Sequence, residues 1–137
     1  MYTYSAELLK VIDGDTIEVD FDLGFGVWLR NQRIRLTGID TPESRTSNKE
    51  EKVRGDLSKA KLKEILFVGK RIVITTSIDP NEKYGRILGT ITNEQGVNVN
   101  KWLIENNYAV VYTGQNKDLV QEAHQKNAVI LKARGEI

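Results

Sequence analysis

Thr16-Ile17-Glu18-Val19-Asp20-Phe21 alternates polar and apolar residues without a break. That period of two is what a half-buried β-strand requires, and it puts Ile17, Val19 and Phe21 on one face. Just upstream, Asp13-Gly14-Asp15 has turn composition, and Ala6 to Ile12 is a second apolar-rich segment. The two segments joined by that turn read as a β-hairpin. Downstream, Asp22-Leu23-Gly24-Phe25-Gly26 reads as a glycine-containing loop before Val27-Trp28-Leu29. Arg33-Ile34-Arg35-Leu36-Thr37 then alternates again, with Ile34 and Leu36 inward and Arg33, Arg35 and Thr37 on the opposite face. Asp40-Thr41-Pro42-Glu43 should end that strand, because proline has no N–H to continue a ladder.

Beyond the proline, Ser44 to Glu51 is polar and reads as a loop, and a helix is expected from about Lys52 to Leu66. Val53, Leu57, Ala60 and Glu64 fall on one side of it, with Leu62, Ile65 and Leu66 widening the apolar face and Gly69 as a stop. Arg71 to Ile78 is β-branched and strand-like, Asp79-Pro80-Asn81-Glu82 a turn, and Arg86 to Thr92 the next strand. Val99, Trp102, Leu103 and Asn106 recur at helical spacing after a capping Asn98. Tyr108 to Tyr112 is short and extended, and Val120, Ala123, Asn127, Ile130 and Leu131 mark a final helix with Gly135 past its end. With no repeat and no linker, residues 1–137 are expected to form one domain. The order of elements is an α+β pattern, and five strands with a helix after the third point to an OB-like five-stranded β-barrel with three α-helices.

Composition narrows the chemistry. The chain has no cysteine, which excludes disulfides and thiolate metal sites, and its single histidine cannot form a multi-histidine cage. A lone histidine on a helix is expected to be a surface or packing residue, so His124 is not assigned to catalysis. No apolar run is long enough to span a bilayer, and the N-terminus lacks a basic region followed by an apolar stretch. The expectation is therefore an intracellular protein, phage- or mobile-element-encoded proteins included, or a processed exported form. The formal net charge of +1 is too balanced for a protein that coats long duplexes, but suits one that grips a few phosphates.

Asp15 follows a tight turn and Asp40 ends a strand, and two such carboxylates can converge on one hard cation. Without cysteine, and with one histidine, oxygen donors favour Ca²⁺ or Mg²⁺ over zinc or copper. Taken singly, Asp13, Asp15 and Asp40 are equally well explained as turn formers. Glu43, three residues after Asp40 across a stiffening proline, has the chemistry to orient or deprotonate water, or simply to begin a helix. Arg35 sits mid-strand, where a guanidinium must find an anion or solvent, and its planar fork suits phosphate oxygens. Lys83-Tyr84-Gly85-Arg86 crowds cationic and aromatic side chains at one corner, or is an ordinary hairpin tip. Together these residues describe metal-assisted hydrolysis of a phosphodiester.

Three segments in this order, Val11-Ile12-Asp13-Gly14-Asp15-Thr16, Arg33 through Glu43, and Lys83-Tyr84-Gly85-Arg86, resemble the staphylococcal-nuclease-like (thermonuclease) family. The resemblance runs from about Leu8 through the Val99 to Asn107 helix and weakens after Tyr112. It implies an enzyme that cleaves DNA and RNA with Ca²⁺, breaks the P–O5′ bond and leaves 3′-phosphates. A monomer is expected, although the sequence leaves the oligomeric state open. By matching position, Asp15 and Asp40 would bind the metal through carboxylates and Thr41 through its carbonyl. Glu43 would serve as the general base or water-orienting residue, and Arg35 and Arg86 would hold the phosphate and stabilise the charge of the five-coordinate transition state. Lys83 and Tyr84 match residues near a terminal phosphate, and Tyr112 a base-stacking tyrosine. The Asp22 to Gln32 connection looks longer than in compact relatives, and the Ser44 to Arg54 loop has its own sequence, which leaves strand preference open.

Two other readings compete. A catalytically silent OB-fold module for nucleic acid or protein would be expected to lack some of these acids and arginines. A generic single-strand binder would show several exposed aromatics and a positive bias, whereas aromatics are 7% of this chain.

Overall fold

A computed structural model describes residues 2–77 and 87–137. The chain runs β1 (Tyr2–Asp13), β2 (Thr16–Asp22), β3 (Trp28–Leu36), β4 (Ile39–Asp40), α1 (Lys49–Ile65), β5 (Arg71–Ser77), β6 (Ile87–Thr92), α2 (Val99–Glu105), β7 (Val110–Val111) and α3 (Lys117–Ala133). Five strands close into a barrel in the order β1-β2-β3-β6-β5, and β4 and β7 form a separate two-stranded sheet. The expected α+β architecture, an OB-like barrel with three helices, is what forms.

The hairpin read from the sequence is the antiparallel β1–β2 pair, with Val11 opposite Ile17 and Asp13 opposite Thr16. Its inward residues behave as the alternation demands: Leu8, Ile17, Val19, Ile34, Leu36, Ile74 and Ile91 are wholly buried. Closure comes from β3 pairing in parallel with β6, while the other barrel pairs are antiparallel. Leu62 and Leu66 of the α1 end, with Val99 and Leu103 of α2, join the same core. Among the described residues no helix is long and apolar enough to cross a membrane.

Three expectations are corrected. Val27-Trp28-Leu29 and Arg33–Thr37 are not separate pieces, because β3 is continuous. A register shift between Val19 and Phe21 interrupts the alternation. Opposite it Asn31 adopts φ 56°, and the Asp20 carboxylate accepts from the Asn31 N–H and from Arg30 Nη1, both at 2.8 Å. Such a bulge absorbs one residue and hides the strand from a strict period of two.

The expected loop to Glu51 is shorter, because α1 begins at Lys49. Asn48 Oδ1 accepts from the Glu51 N–H at 3.2 Å, and Glu50 and Glu51 suit the positive end of the helix. That first turn is entirely polar, so apolar spacing gives it no signature.

The buried face of α1 is also different. It carries Arg54, Gly55, Ser58 and Leu62, whereas Val53 is 52% exposed. The helix lies partly on the polypeptide backbone that follows Asp40 rather than wholly on apolar side chains. The expected turn Asp79 to Glu82, together with Ile78, lies outside the described residues.

Candidate active site

Asp15 is positioned by the hairpin and by β3. Its carbonyl accepts from the Leu36 N–H at 2.8 Å, which fixes the turn against the end of the strand that carries Arg35. Its carboxylate accepts from Thr16 Oγ1 at 3.1 Å and from the backbone N–H of Thr41. Thr41 is itself buried, so the hairpin and the segment after Asp40 share one hydrogen-bonded seam.

Asp40 reaches the same place by another route. Gly38 turns the chain with φ 75°, a backbone region open to glycine at little cost, and β4 follows. The Asn100 side chain of α2 secures that turn, donating to the carbonyls of Thr37 at 2.9 Å and Gly89 at 3.1 Å. Asp40 therefore ends its own short strand, paired with Val110 of β7, and not the strand of Arg35.

Glu43 is held by its backbone. Gly55 of α1 lies so close that a Cβ there would sit 2.4 Å from the Glu43 carbonyl oxygen, so only glycine lets the helix approach. One residue on, Ser44 Oγ donates to Asp13 Oδ1 at 2.9 Å and ties the segment to the hairpin turn.

These routes converge. Arg35 Nη1 lies 2.9 Å from Asp15 Oδ2, and Nη2 lies 3.6 Å from Asp40 Oδ1. The nearer contact is off the line of a hydrogen bond, and among the described residues no other acceptor reaches that buried Nη1. Asp13, Asp15, Arg35, Asp40, Thr41 and Glu43 line a cleft of about 280 Å³. Arg35, Asp40 and Glu43 also border a groove of about 940 Å³, whose other wall includes Tyr112, Gln115, Lys117 and Gln121.

The electrostatics follow from this crowding. Burial pushes the Asp15 carboxyl above the usual carboxylate range; Arg35 opposes that shift and the charge of Asp40 adds to it. Burial also raises Glu43, and the negative charges of Asp15, Asp40 and Asp13 raise it further. Four carboxyls thus share a small cleft whose described lining has a single cation, Arg35. A phosphodiester would be repelled unless a further positive charge entered with it.

The donors fit a hard divalent cation. Asp15 and Asp40 face one space, with the Thr41 segment between them. Among the described residues no three His, Cys, Asp or Glu side chains form a closed cage. Two carboxylates completed by backbone oxygen and water make an open, oxygen-only site.

Comparison with known proteins agrees with this geometry. The family model described as staphylococcal nuclease homologue matches residues 33–136. The chain belongs to the staphylococcal nuclease family. It is 29% identical over 136 residues to endonuclease YhcR of Bacillus subtilis (strain 168), covering 96% of this chain but 11% of that protein. It is 36% identical over 121 residues to an uncharacterized endonuclease of Escherichia coli, covering 88% of this chain and 69% of the relative. The thermonuclease of Staphylococcus intermedius is 34% identical over 82 residues, 60% of this chain and 45% of that protein.

Within this family member, Asp15, Arg35, Asp40, Thr41 and Glu43 meet as a group, and Tyr112 stands along the adjoining groove. Lys83, Tyr84 and Arg86 lie outside the described residues. Sequence reasoning missed two contributors. Gly55 gives no signal within a polar helix. His124 is 3% exposed with Nε2 2.8 Å from Asp40 Oδ2, so it is neither a surface residue nor only packing. Its clue was available: it falls four residues after Val120 and seven before Leu131, on the one buried stripe of α3.

Proposed function

We propose that residues 1–137 act as one monomeric nuclease domain that hydrolyses phosphodiester bonds of DNA, RNA or both, requires a divalent cation, and leaves 3′-phosphate ends. The observation that carries this reading is the convergence of Asp15, Arg35, Asp40 and Glu43 on one acidic cleft that opens beside a long groove. The family relationship and the endonuclease names of relatives support it, while the chain spans only 11% of the Bacillus protein's length.

Asp15 and Asp40 would hold the cation through carboxylates and Thr41 through its carbonyl. A flexible, partly hydrated oxygen site suits Ca²⁺ better than the strict octahedron of Mg²⁺. When bound, the cation offsets the carboxylate charge and polarises a phosphoryl oxygen.

The protein's own groups do the rest. Glu43 accepts a proton from the attacking water. Arg35 offers its guanidinium to a non-bridging oxygen. Arg86 supplies a second guanidinium as charge builds on the five-coordinate phosphorus. Water adds to phosphorus as the P–O5′ bond breaks, O5′ leaves as the 5′-hydroxyl with a proton taken from solvent, and the phosphate stays on the 3′ oxygen. Lys83 and Tyr84 contact a terminal phosphate, and Tyr112 stacks on a base along the groove.

The test is incubation with plasmid, single-stranded DNA and RNA, each with Ca²⁺, Mg²⁺ or chelator, followed by analysis of the product ends. Cleavage in Ca²⁺ that stops in chelator and leaves 3′-phosphates is expected. Undiminished cleavage in excess chelator overturns the mechanism, whereas equal rates in Mg²⁺ overturn only the metal preference. Arg86→Lys keeps the charge and loses the fork, so it should lower kcat far more than it raises KM.

A further inference from the structure

His124 is the chain's only histidine, and the hydrolysis described above gives it no step. It is nonetheless one of the few polar side chains that the fold buries. A buried imidazole costs free energy unless its nitrogens are paired, and Nε2 is paired with Asp40 Oδ2 at 2.8 Å. A carboxylate can only accept, so Nε2–H is the donor in this bond.

The histidine is itself braced. Its backbone carbonyl accepts from Arg54 Nη1 at 3.4 Å, and Arg54 of α1 is buried as well. The two oxygens of Asp40 are therefore distinguished. Oδ2 is held by α3, while Oδ1 faces Arg35 Nη2 at 3.6 Å. Asp40 needs such a restraint, because β4 is two residues long and has a two-residue partner. So short a ladder fixes the main chain locally and leaves the rotation of a partly exposed carboxylate to its side-chain contacts.

We propose that His124 is the positioning residue for Asp40, fixing the plane of its carboxylate so that Oδ1 is presented to the divalent cation it shares with Asp15; the inference rests on the metal-dependent reading above. The same helix also borders the groove through Lys117, Val120 and Gln121, with Val120 one turn from His124. One helix thus holds both a wall of the groove and the orientation of a metal carboxylate.

Calorimetric titration of the intact protein with Ca²⁺, without nucleic acid, tests this apart from catalysis. Partners that orient metal ligands are typically worth about 10–100-fold in affinity. His124→Leu keeps apolar volume but has no donor, and should weaken Ca²⁺ binding by about tenfold or more on that scale. It should also shrink the rise in melting temperature on adding Ca²⁺. His124→Gln places an amide donor at a similar reach and should restore most of the affinity, whereas the shorter His124→Asn should not. At saturating Ca²⁺ the kcat of His124→Gln should stay near wild type.

Should the leucine variant fail to fold, judged by circular dichroism and melting, the glutamine and asparagine pair carries the comparison alone. Wild-type affinity in every variant overturns the inference and leaves the nuclease reading intact. Equal losses in glutamine, asparagine and leucine variants mark a packing role and also overturn it. A large fall in kcat at saturating Ca²⁺ with unchanged affinity places His124 among the reacting groups and overturns the positioning role. Absence of Ca²⁺ or Mg²⁺ binding to the wild type removes the metal-dependent reading, and this inference with it.

Discussion

Two clusters of ionisable groups on this molecule push their carboxyls in opposite directions. In the cleft, Asp15 and Glu43 are raised, because burial and neighbouring negative charges outweigh one guanidinium. Near the C-terminus Glu136 is lowered, first by the hydroxyl of Tyr108 and then by Arg134. Arg134 Nη2 lies 2.7 Å from Glu136 Oε2 and Lys61 Nζ lies 3.6 Å from Oε1. Both cations also stand over the Tyr108 ring, at 5.6 and 5.7 Å. The second cluster is an acceptor surrounded by donors and serves to lock the tail onto the fold. The first is a set of acceptors short of positive charge, which is what a site looks like when part of its charge arrives with its ligands.

The comparison breaks most visibly in the catalytic rate. Glu43→Gln should lower kcat by about 10²–10⁴, the usual worth of a general base, with cation affinity nearly unchanged. Asp40→Asn should instead weaken the cation, and excess Ca²⁺ should partly restore its rate. Steady-state kinetics across a Ca²⁺ titration separates the two, and rescue of Glu43→Gln by Ca²⁺ would move Glu43 into the metal site.

Gly55→Ala comes next. Its new methyl must displace the Glu43 carbonyl oxygen that lies 2.4 Å from the Cβ position. Overpacking of this kind costs about 1–3 kcal/mol, and here the displaced atoms belong to the residue proposed to activate water. Urea unfolding should show the loss, and activity should fall by more than the unfolded fraction explains. Unchanged activity in the folded variant would mean that the close approach does not set Glu43.

A subtler effect concerns sign. Because the Asp15 carboxyl is raised, its ionised form is unfavourable in the cation-free fold. Asp15→Asn should therefore leave the melting temperature of the chelated protein at neutral pH unchanged or higher, while cleavage is lost. A clear fall in melting temperature would show that the pairing with Arg35 dominates.

Glu136 should show the reverse, with the smallest effect. Its folded pKa lies below the ordinary 4.5, so its contribution is present above that value and lost as pH falls through the lowered one. Glu136→Gln should melt slightly below wild type at neutral pH, and the two curves should converge in acid. Curves that stay parallel would remove ionisation from the account of that cluster.

How much of this was legible follows from where the information lies. Thr16–Phe21 and Arg33–Thr37 carry a clear alternation, and the acids and Arg35 sit at or beside the strand ends, so much of the fold and the site emerges from local pattern, whereas the bulge opposite Asp20 hides the continuity of β3. The first turn of α1 is polar throughout and gives no periodicity. Its buried face carries Gly55 and Ser58 because its neighbour there is backbone. Ser58 Oγ donates to the Tyr108 carbonyl at 2.6 Å, a contact no spacing rule anticipates. β4 and β7 are too short to have a period at all. His124 reaches Asp40 across 84 positions of sequence, and pairings of that range are settled by packing rather than by motif.

Every described acid of the cleft belongs to the first 43 residues, but the groups that orient those acids are translated much later. Gly55 lets Glu43 take its place, Val110 pairs with Asp40, and His124 holds the Asp40 carboxylate. A chain still on the ribosome therefore possesses the reactive groups long before it possesses their supports. On the proposed reading, a partly synthesised chain would carry the acids without the arrangement that lets them act.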